Sequence, residues 1–572
     1  MRRAAFVAAA AAVVAVLAAP PAGAHAVLEG TTPVASDVLD GSPEAVSLSF
    51  TESVEAALGA VRVYDGSGGR IDTGAPEHPD GDRSEVRVGL PDLDDGSYVV
   101  TWRVISGDSH PVQGAFTFQV GPDATANVAS LAERLLSEQG GESIVGVAYG
   151  VDRFLVFASI ALLLGGVGFV ALVSPVARSR ATTRRLLWTG WAVCLVSTLA
   201  GIGLQGAYAA GLPLADAVKP SVIREVLGTR FGQVSIGRVV LLGVMALLLA
   251  RLLPAGPRVE HPLPAWWLPV AALTGIGVAA TPGLGGHASA GDLVPFAVVA
   301  DTIHVLAMAL WVGGLAYLVA VVLDRRDVEE ARGAVTRFSR LALACVIAIV
   351  ATGSFQAWRQ VGSLEALRDT NYGQLLIVKV VIVAAIVVVA AFSREIVYRV
   401  YQRPERVAAV VGTDAVGDDP EQPVDAPREL RRLRGSVAIE VLLAVAVLTV
   451  TALLVNTNPA KDELEGPFLG RIETDGIVFD LQVVPAVAGP NDLHLFALTT
   501  TGGPTDTLEM TATMEFPERE IAPIEVPLER LGPGHYSASG FTVPIAGDWL
   551  LEVSALVTPV DEVTAETTVR IR

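Results

Sequence analysis

The sequence predicts a multidomain membrane protein: an N-terminal all-β sandwich, an eight-helix transmembrane bundle, and a C-terminal all-β sandwich of immunoglobulin-like type. Three observations carry that prediction. The 572 residues are 51% hydrophobic and 18% charged, with a mean hydropathy of +0.51, whereas soluble domains carry about 25% charged residues. Charge is also unevenly placed. Residues 25–149 hold 6 Lys/Arg against 20 Asp/Glu, residues 457–572 hold 6 against 19, and residues 150–456 hold 27 against 21. Third, the apolar residues of the middle are gathered into eight long runs. Two acidic ends therefore flank an apolar, mildly basic centre, and a nucleic-acid partner is excluded because no basic face exists away from the membrane-bordering segments.

The first 24 residues read as a signal peptide. Arg2 and Arg3 precede an apolar run from Ala4 to Ala19, and Ala22-Gly-Ala24 supplies the small-residue cleavage site. Cleavage after Ala24 makes His25 the first residue of the mature chain. Residues 25–121 then alternate apolar and polar side chains in short runs: Val46–Phe50, Ala60–Tyr64, Glu85–Leu90, Tyr98–Val104 and Gly114–Val120. Turn signals such as Asp65-Gly66 and Asp94-Asp-Gly96 separate them, the pattern of a β-sandwich. Residues 122–150 read as a linker with a short amphipathic helix over Val128–Glu138.

Residues 151–456 hold the spans, placed near 151–175, 186–209, 234–253, 265–283, 294–323, 337–358, 373–394 and 435–456. Each approaches or exceeds the ~20 residues needed to cross a bilayer. Arginines crowd the loops after spans one, three, five and seven, with eight between Arg394 and Arg434 alone. The other loops hold only Lys219, Arg224, Arg230, Arg359 and Arg368. By the positive-inside rule both termini lie outside, which agrees with the signal peptide. The predicted location is a bacterial cytoplasmic membrane, crossed eight times. The stretch 403–433, rich in Pro, Asp and Arg, reads as a flexible cytoplasmic loop. Residues 457–572 return to strand-like runs, among them Ile477–Val484, Asp492–Leu498 and Trp549–Val553. Cys194 and Cys345 both fall in apolar runs, so the ends fold without disulfides.

The clearest chemistry joins His25 to Ser106-Gly-Asp-Ser-His-Pro111. In extended backbone Asp108 and His110 share one face. A mature N-terminal His25 offers its α-amine and ring Nδ1 to one ion. With a His110 nitrogen and an Asp108 oxygen the set becomes three nitrogens and one oxygen, the tetragonal arrangement that Cu(II) prefers. The amine, with a reference pKa of about 7.7–8.0, is readily deprotonated by a competing divalent ion. Taken alone, Asp-x-His more simply caps a turn before Pro111; exposure of His25 by cleavage is what favours the metal.

Here the chain resembles a family. His25-Ala-Val-Leu28, Thr32-Pro33, Val46–Phe50 and Gly107-Asp-Ser-His-Pro-Val-Gln-Gly114 are similar to the periplasmic copper-binding protein CopC. Thr229-Arg-Phe-Gly232 with Arg238, Gly286-His-Ala288, Asp301–Gly314 and Tyr372–Lys379 resemble the membrane protein CopD. The fused order, ending in a YtkA/FixH-like domain, looks like copper-uptake proteins of the YcnJ type. The resemblance implies His25, Asp108 and His110 as Cu(II) ligands, and copper import as the activity. Some CopC proteins hold Cu(I) in a methionine-rich site; residues 25–149 contain no methionine, so a Cu(II)-only domain is expected.

Within the fifth span, Asp301, His304, Met308 and Trp311 fall on one helical face. Ionisable residues in a span usually face the bundle interior or an aqueous path. His304 lies roughly 15 Å below the outer surface by helical rise, and His287 sits in the loop above. A descending copper route from His287 to Asp301, His304 and Met308 follows, with Cu(I) as the candidate form inside the membrane. A bracing pair remains the alternative for Asp301 and His304, and ordinary packing is the simpler reading of Met308. Lys379, about 9 Å inside span seven, either pairs with Asp301 or snorkels outward. Arg238 reads as a structural or coupling residue. In the last domain Met510 and Met514 share a strand face, with His494 and His535 elsewhere; core methionines and surface histidines are the simpler reading, and a second copper site is the alternative.

Copper ions and the lipid bilayer are the expected partners, joined by an envelope copper chaperone or oxidase. No enzyme is expected, since Asp108 occupies the in-plane position a monooxygenase leaves open for oxygen. The alternative to import is a protein that buffers copper or delivers it to envelope or oxidase sites.

Overall fold

The computed structural model describes residues 28–571 apart from 35–36, 51–52, 57–60, 108–110, 122–130, 132–133, 136–143, 254–262, 291–292, 324–327, 398–425, 462–467, 501–504 and the single positions 475, 485, 506, 520 and 533. The signal peptide, His25, Asp108 and His110 therefore lie outside the described residues. Backbone contacts divide the chain into two units. One holds Phe154–Leu195 and Gly237–Lys461; the other holds His25–Arg153, Val196–Ile236 and Asp462–Arg572.

The N-terminal domain contains β1 (Leu28–Thr32), β2 (Val38–Leu39), β3 (Ala45–Phe50), β4 (Val54–Glu55), β5 (Val61–Asp65), β6 (Thr73–Glu77), β7 (Glu85–Gly89), β8 (Gly96–Ser106) and β9 (Pro111–Val120). One sheet runs β1-β3-β7-β6, the other β2-β9-β8-β4 with β5 also on β8. Alternation seals the core between them. Val46, Leu48, Val86 and Val88 face Val63, Val100, Trp102 and Phe118, all buried, and Phe50 meets Trp102 edge-on at 5.5 Å. β8 is buried on both faces, because Leu131 and Leu135 cover Val99 from outside the sandwich. Leu131, Arg134 and Leu135 are the described members of the predicted linker helix, and all three are helical.

The membrane region contains α1 (Ile144–Gly168), α2 (Ala181–Ala209), α3 (Pro220–Gly228), α4 (Arg230–Leu252), α5 (Trp267–Leu284), α6 (Val294–Met308), α7 (Val328–Val361), α8 (Leu364–Asp369), α9 (Asn371–Val397) and α10 (Ala426–Leu454). All but α3 and α8 are long and apolar enough to span, giving eight candidate crossings among the described residues. α1 ends in a π-helical turn at Phe169–Val173, and Arg337 donates to the Val173 carbonyl at 2.6 Å. α6 runs on to Val322 through two π-helical turns, Ala309–Gly313 and Leu318–Val322. A π-turn widens the helix by one residue and is frequent near functional positions.

Two features of this region occur twice. Thr229 Oγ1 accepts from Gly232 N–H at 3.2 Å, and Thr370 Oγ1 accepts from Gly373 N–H at 3.0 Å, each capping the start of a span. Gln233 and Gln374 reach back to the Gly228 and Arg368 carbonyls, both at 3.3 Å. A Cβ at Gly232 would sit 2.6 Å from Leu227 Cα, and one at Gly373 2.6 Å from the Leu367 carbonyl carbon, so only glycine lets the span turn tightly off α3 or α8. The motif Thr-x-(Phe/Tyr)-Gly-Gln therefore serves spans three and seven alike. The second feature is reciprocal. A Cβ on Gly165 would meet the Ala309 carbonyl, one on Gly313 would meet the Ala161 carbonyl, and Phe169 stacks on Tyr317 with centroids 6.0 Å apart. Spans one and five thus touch at residues of equal spacing, Gly165 and Phe169 on one and Gly313 and Tyr317 on the other.

The N-terminal sandwich grips two membrane helices of its own unit. Arg103 of β8 donates to the Ala209 and Tyr208 carbonyls at 2.6 and 2.8 Å and to Gln113 Oε1 of β9. A cation is thereby placed on the carbonyls that end α2, of which Tyr208 also accepts from the Gly211 N–H at 3.4 Å. Glu55 of β4 accepts from the Arg230 N–H at 3.2 Å, an anion on the first donor of α4. Both contacts follow the helix dipoles. Arg103→Ala is expected to lower full-length stability in detergent by about 2–3 kcal/mol, the scale of charge-assisted hydrogen bonds, read as a lower unfolding midpoint. Arg103→Lys should restore only part, having lost the planar fork.

The C-terminal domain contains β10 (Phe468–Glu473), β11 (Ile477–Val484), β12 (Gly489–Thr499), β13 (Glu509–Phe516), β14 (Ile521–Val526), β15 (Glu529–Gly532), β16 (His535–Val543), β17 (Gly547–Thr558) and β18 (Asp561–Ile571). Sheets β10-β11-β12-β16-β15 and β14-β13-β17-β18 close on a core of Phe479, Leu495, Met514, Trp549 and Val553. Met510 and Met514 are core residues as expected. His535 is not a surface residue: it is 1% exposed, because Phe496 stacks flat over its ring at 4.4 Å.

Candidate metal centres

Of the proposed Cu(II) ligands, the described residues supply only the frame. Val104↔Val112 and Ile105↔Pro111 are the last described pairs of the β8–β9 hairpin; Asp108 and His110 fall between these strands in the sequence and lie outside the described residues. β4 pairs with the same end through Val54↔Ser106 and Glu55↔Ile105. The hairpin is thus anchored just below its tip by Arg103 and Gln113, and beside it by Glu55. His78 Nδ1 lies 2.7 Å from the Glu85 carbonyl, a bond that ties the end of β6 to the start of β7.

The membrane residues are all described. His287 opens a short turn, His287–Ser289, and is buried. Arg359 of α7, also buried, holds that turn by donating to the His287 carbonyl and to the Ala290 carbonyl at 2.8 and 3.2 Å. Counted from sequence as an outer-loop charge, Arg359 is instead a clamp over the first residue of the suggested route. The Asp301 carboxylate lies against Gly283 of α5, where a Cβ would come within 3.0 Å of its Cγ. Lys379 and Arg359 are the cations whose charge reaches Asp301. Arg238 does brace neighbouring helices, donating from Nε to Thr281 Oγ1 at 2.7 Å. Met308 packs against the apolar core of the bundle.

His304 carries the most informative contact. Its Nδ1 lies 2.9 Å from Thr352 Oγ1, and that hydroxyl donates its single proton to the Ala348 carbonyl at 2.6 Å. With the hydroxyl donating there, it accepts from the ring, and in that arrangement Nδ1 carries the hydrogen and Nε2 keeps its lone pair. Orientation of a metal-binding imidazole by a bond at its other nitrogen is the usual arrangement. Gly353 makes room for the ring, since a Cβ there would sit 3.3 Å from His304 Cε1. Neither Thr352 nor Gly353 carries any signal in the sequence; both are found only through their contact with His304.

Comparison with known proteins agrees with this architecture. The chain matches the CopC domain over residues 28–121, the copper resistance protein D-like N-terminal domain over 144–294, and copper resistance protein D over 332–454. It belongs to the CopC–CopD family. The copper transport protein CutJ of Bacillus subtilis (strain 168) is 28% identical over 365 residues, covering 62% of this chain and 65% of CutJ, so the chain spans just under two thirds of that relative. Protein YobA of Escherichia coli (strain K12) is 32% identical over 105 residues, 18% of this chain and 85% of YobA. The inner membrane protein YebZ of the same strain is 28% identical over 270 residues, 45% of this chain and 87% of YebZ. As a CopC–CopD protein with eight apolar helices, the chain is a multi-pass membrane protein. Most of span five, with Asp301 and His304, falls between the two membrane matches.

Proposed function

We propose that this CopC–CopD protein captures Cu(II) outside the bacterial cytoplasmic membrane and passes copper inward through its membrane bundle. Both terminal domains lie outside. The mature N-terminus is His25, and His25, Asp108 and His110 hold the ion. The observation that carries this reading is the union of a CopC domain with a CopD membrane region in one chain. The seating of Arg103 on the last carbonyls of α2 supports it, because the hairpin that bears Asp108 and His110 is thereby held at the end of a membrane helix. Copper would then pass His287, Asp301 and His304, whose Nε2 is left as the acceptor. The recurring stretch adds to the argument. Lys379 follows Thr370-Asn-Tyr-Gly-Gln374 at the same spacing at which Arg238 follows Thr229-Arg-Phe-Gly-Gln233. CutJ is described as a copper transport protein, which favours transport over mere storage.

N-terminal sequencing of the purified protein is expected to begin at His25. His25→Ala should then weaken Cu(II) binding by more than ~100-fold, beyond the 10–100-fold that loss of an outer-shell partner costs. Radioactive copper uptake by cells with the gene should exceed that of cells without it. Equal uptake with impaired oxidase assembly would instead mark a delivery protein.

A further inference from the structure

The C-terminal sandwich brings together two histidines that are distant in sequence. β12 lies between β11 and β16, and its pairing with β16 places Phe496 opposite His535 and His494 opposite Ser537. Along β12, Leu493, Leu495 and Ala497 point into the core, so His494 and Phe496 stand on the other face. There His535 Nε2 approaches His494 Nδ1 to 3.4 Å, with ring centroids 5.7 Å apart. That separation is beyond the usual N–H···N range, so a direct bond between the rings is weak. The other nitrogen of His535, Nδ1, is buried and has no hydrogen-bond partner among the described residues.

We propose that His494 and His535 form a second metal site, which holds a monovalent copper ion between two imidazole nitrogens. Imidazole is a good copper ligand. With metal–nitrogen bonds of ~2.0–2.1 Å, the observed gap subtends roughly 110–115° at an ion placed between the nitrogens, and opening it by roughly 0.6 Å makes the arrangement linear. A closed-shell monovalent ion is content with two such ligands. Divalent ions seek four or more, and no group of three or more His, Cys, Asp or Glu is placed to hold a metal among the described residues.

The surroundings agree with a neutral ligand pair. Burial, followed by the neighbouring His494, pushes His535 down to about 4. Burial also lowers His494, against the opposing charge of Asp492. Both rings therefore keep their lone pairs at neutral pH, and no proton must be displaced for metal to bind. Asp492, exposed two residues from His494, is already engaged by the Gly540 N–H at 2.7 Å. Gln482 and Ser537 are the register partners of His494, and Glu529 lies one strand beyond Ser537. Met510 and Met514 lie in the core, on the other sheet, and contribute no sulfur.

This site stands on the two rings and not on the import reading, so the experiment separates them. The full chain in detergent, kept reduced and anaerobic, is titrated with Cu(I) against a competing chelator. One equivalent should persist in His25→Ala and His304→Ala and be lost, or weakened at least 100-fold, in His494→Gln. His494 is only partly buried, so its replacement leaves the core intact. A second measurement uses the unaltered protein: Ag(I), as a stand-in for Cu(I), should protect His494 from diethyl pyrocarbonate modification as read by mass spectrometry. Unchanged Cu(I) stoichiometry in His494→Gln, or modification of His494 undiminished by Ag(I), overturns the proposal.

Discussion

Replacing His304 with alanine is expected to bring cellular copper accumulation down to that of cells lacking the gene, with normal protein abundance in the membrane. The expectation follows from the bonds at Thr352, which leave Nε2 as the acceptor. Alanine is the best helix former, so the span itself should persist. Thr352→Val should act through the same ring. It removes the acceptor that fixes Nδ1–H while filling the same space, and a 10–100-fold loss is usual for such a partner. If His304 were a brace between α6 and α7, both substitutions would reduce abundance and leave uptake per molecule unchanged. Normal accumulation at normal abundance in His304→Ala would remove His304 from the route.

The second large effect is on stability. Gly313→Leu is expected to destabilise the bundle by more than ~3 kcal/mol, above the ordinary cost of an overpacked core, and to leave little folded protein in membranes. The first added carbon would meet the Ala161 carbonyl and would lie 2.9 Å from Gly165 Cα. These are backbone atoms on a facing helix, which have no rotamer by which to yield. Close backbone approach at small residues is a recurrent basis of helix association in lipid, where burial of apolar surface gives little drive. Gly237 serves as the contrast. No atom lies within 4 Å of a Cβ added there, and Gly237→Ala should be neutral or stabilise α4 by about 0.5–1 kcal/mol. Thermal unfolding of both variants in one detergent checks the pair; similar midpoints would contradict the close contact.

The membrane spans were readable because lipid demands length and apolarity, and both are local properties of sequence. Strands β3, β7 and β13 were readable for a similar reason: one face is buried and the other wet, so the side chains alternate. β8 shows where that signal fails. Leu131 lies across its outer face, and Val99 is as buried as Val100. The repeated Thr-x-(Phe/Tyr)-Gly-Gln stretch is visible in the sequence once its use is known, but five residues are too few to stand out unaided. Arg359 was visible only as a charge.

What the chain determines by itself is the inventory and its order: two acidic β domains, eight apolar helices between them, and the histidines that the CopC and CopD resemblance singles out. The tertiary structure alone decides which of these meet. Arg103 finds the end of α2, Thr352 orients His304, and His494 reaches His535. Such meetings depend on which strands pair and which helices cross. Those choices are made by packing over the whole chain, and no local run of residues encodes the distance between two that are far apart.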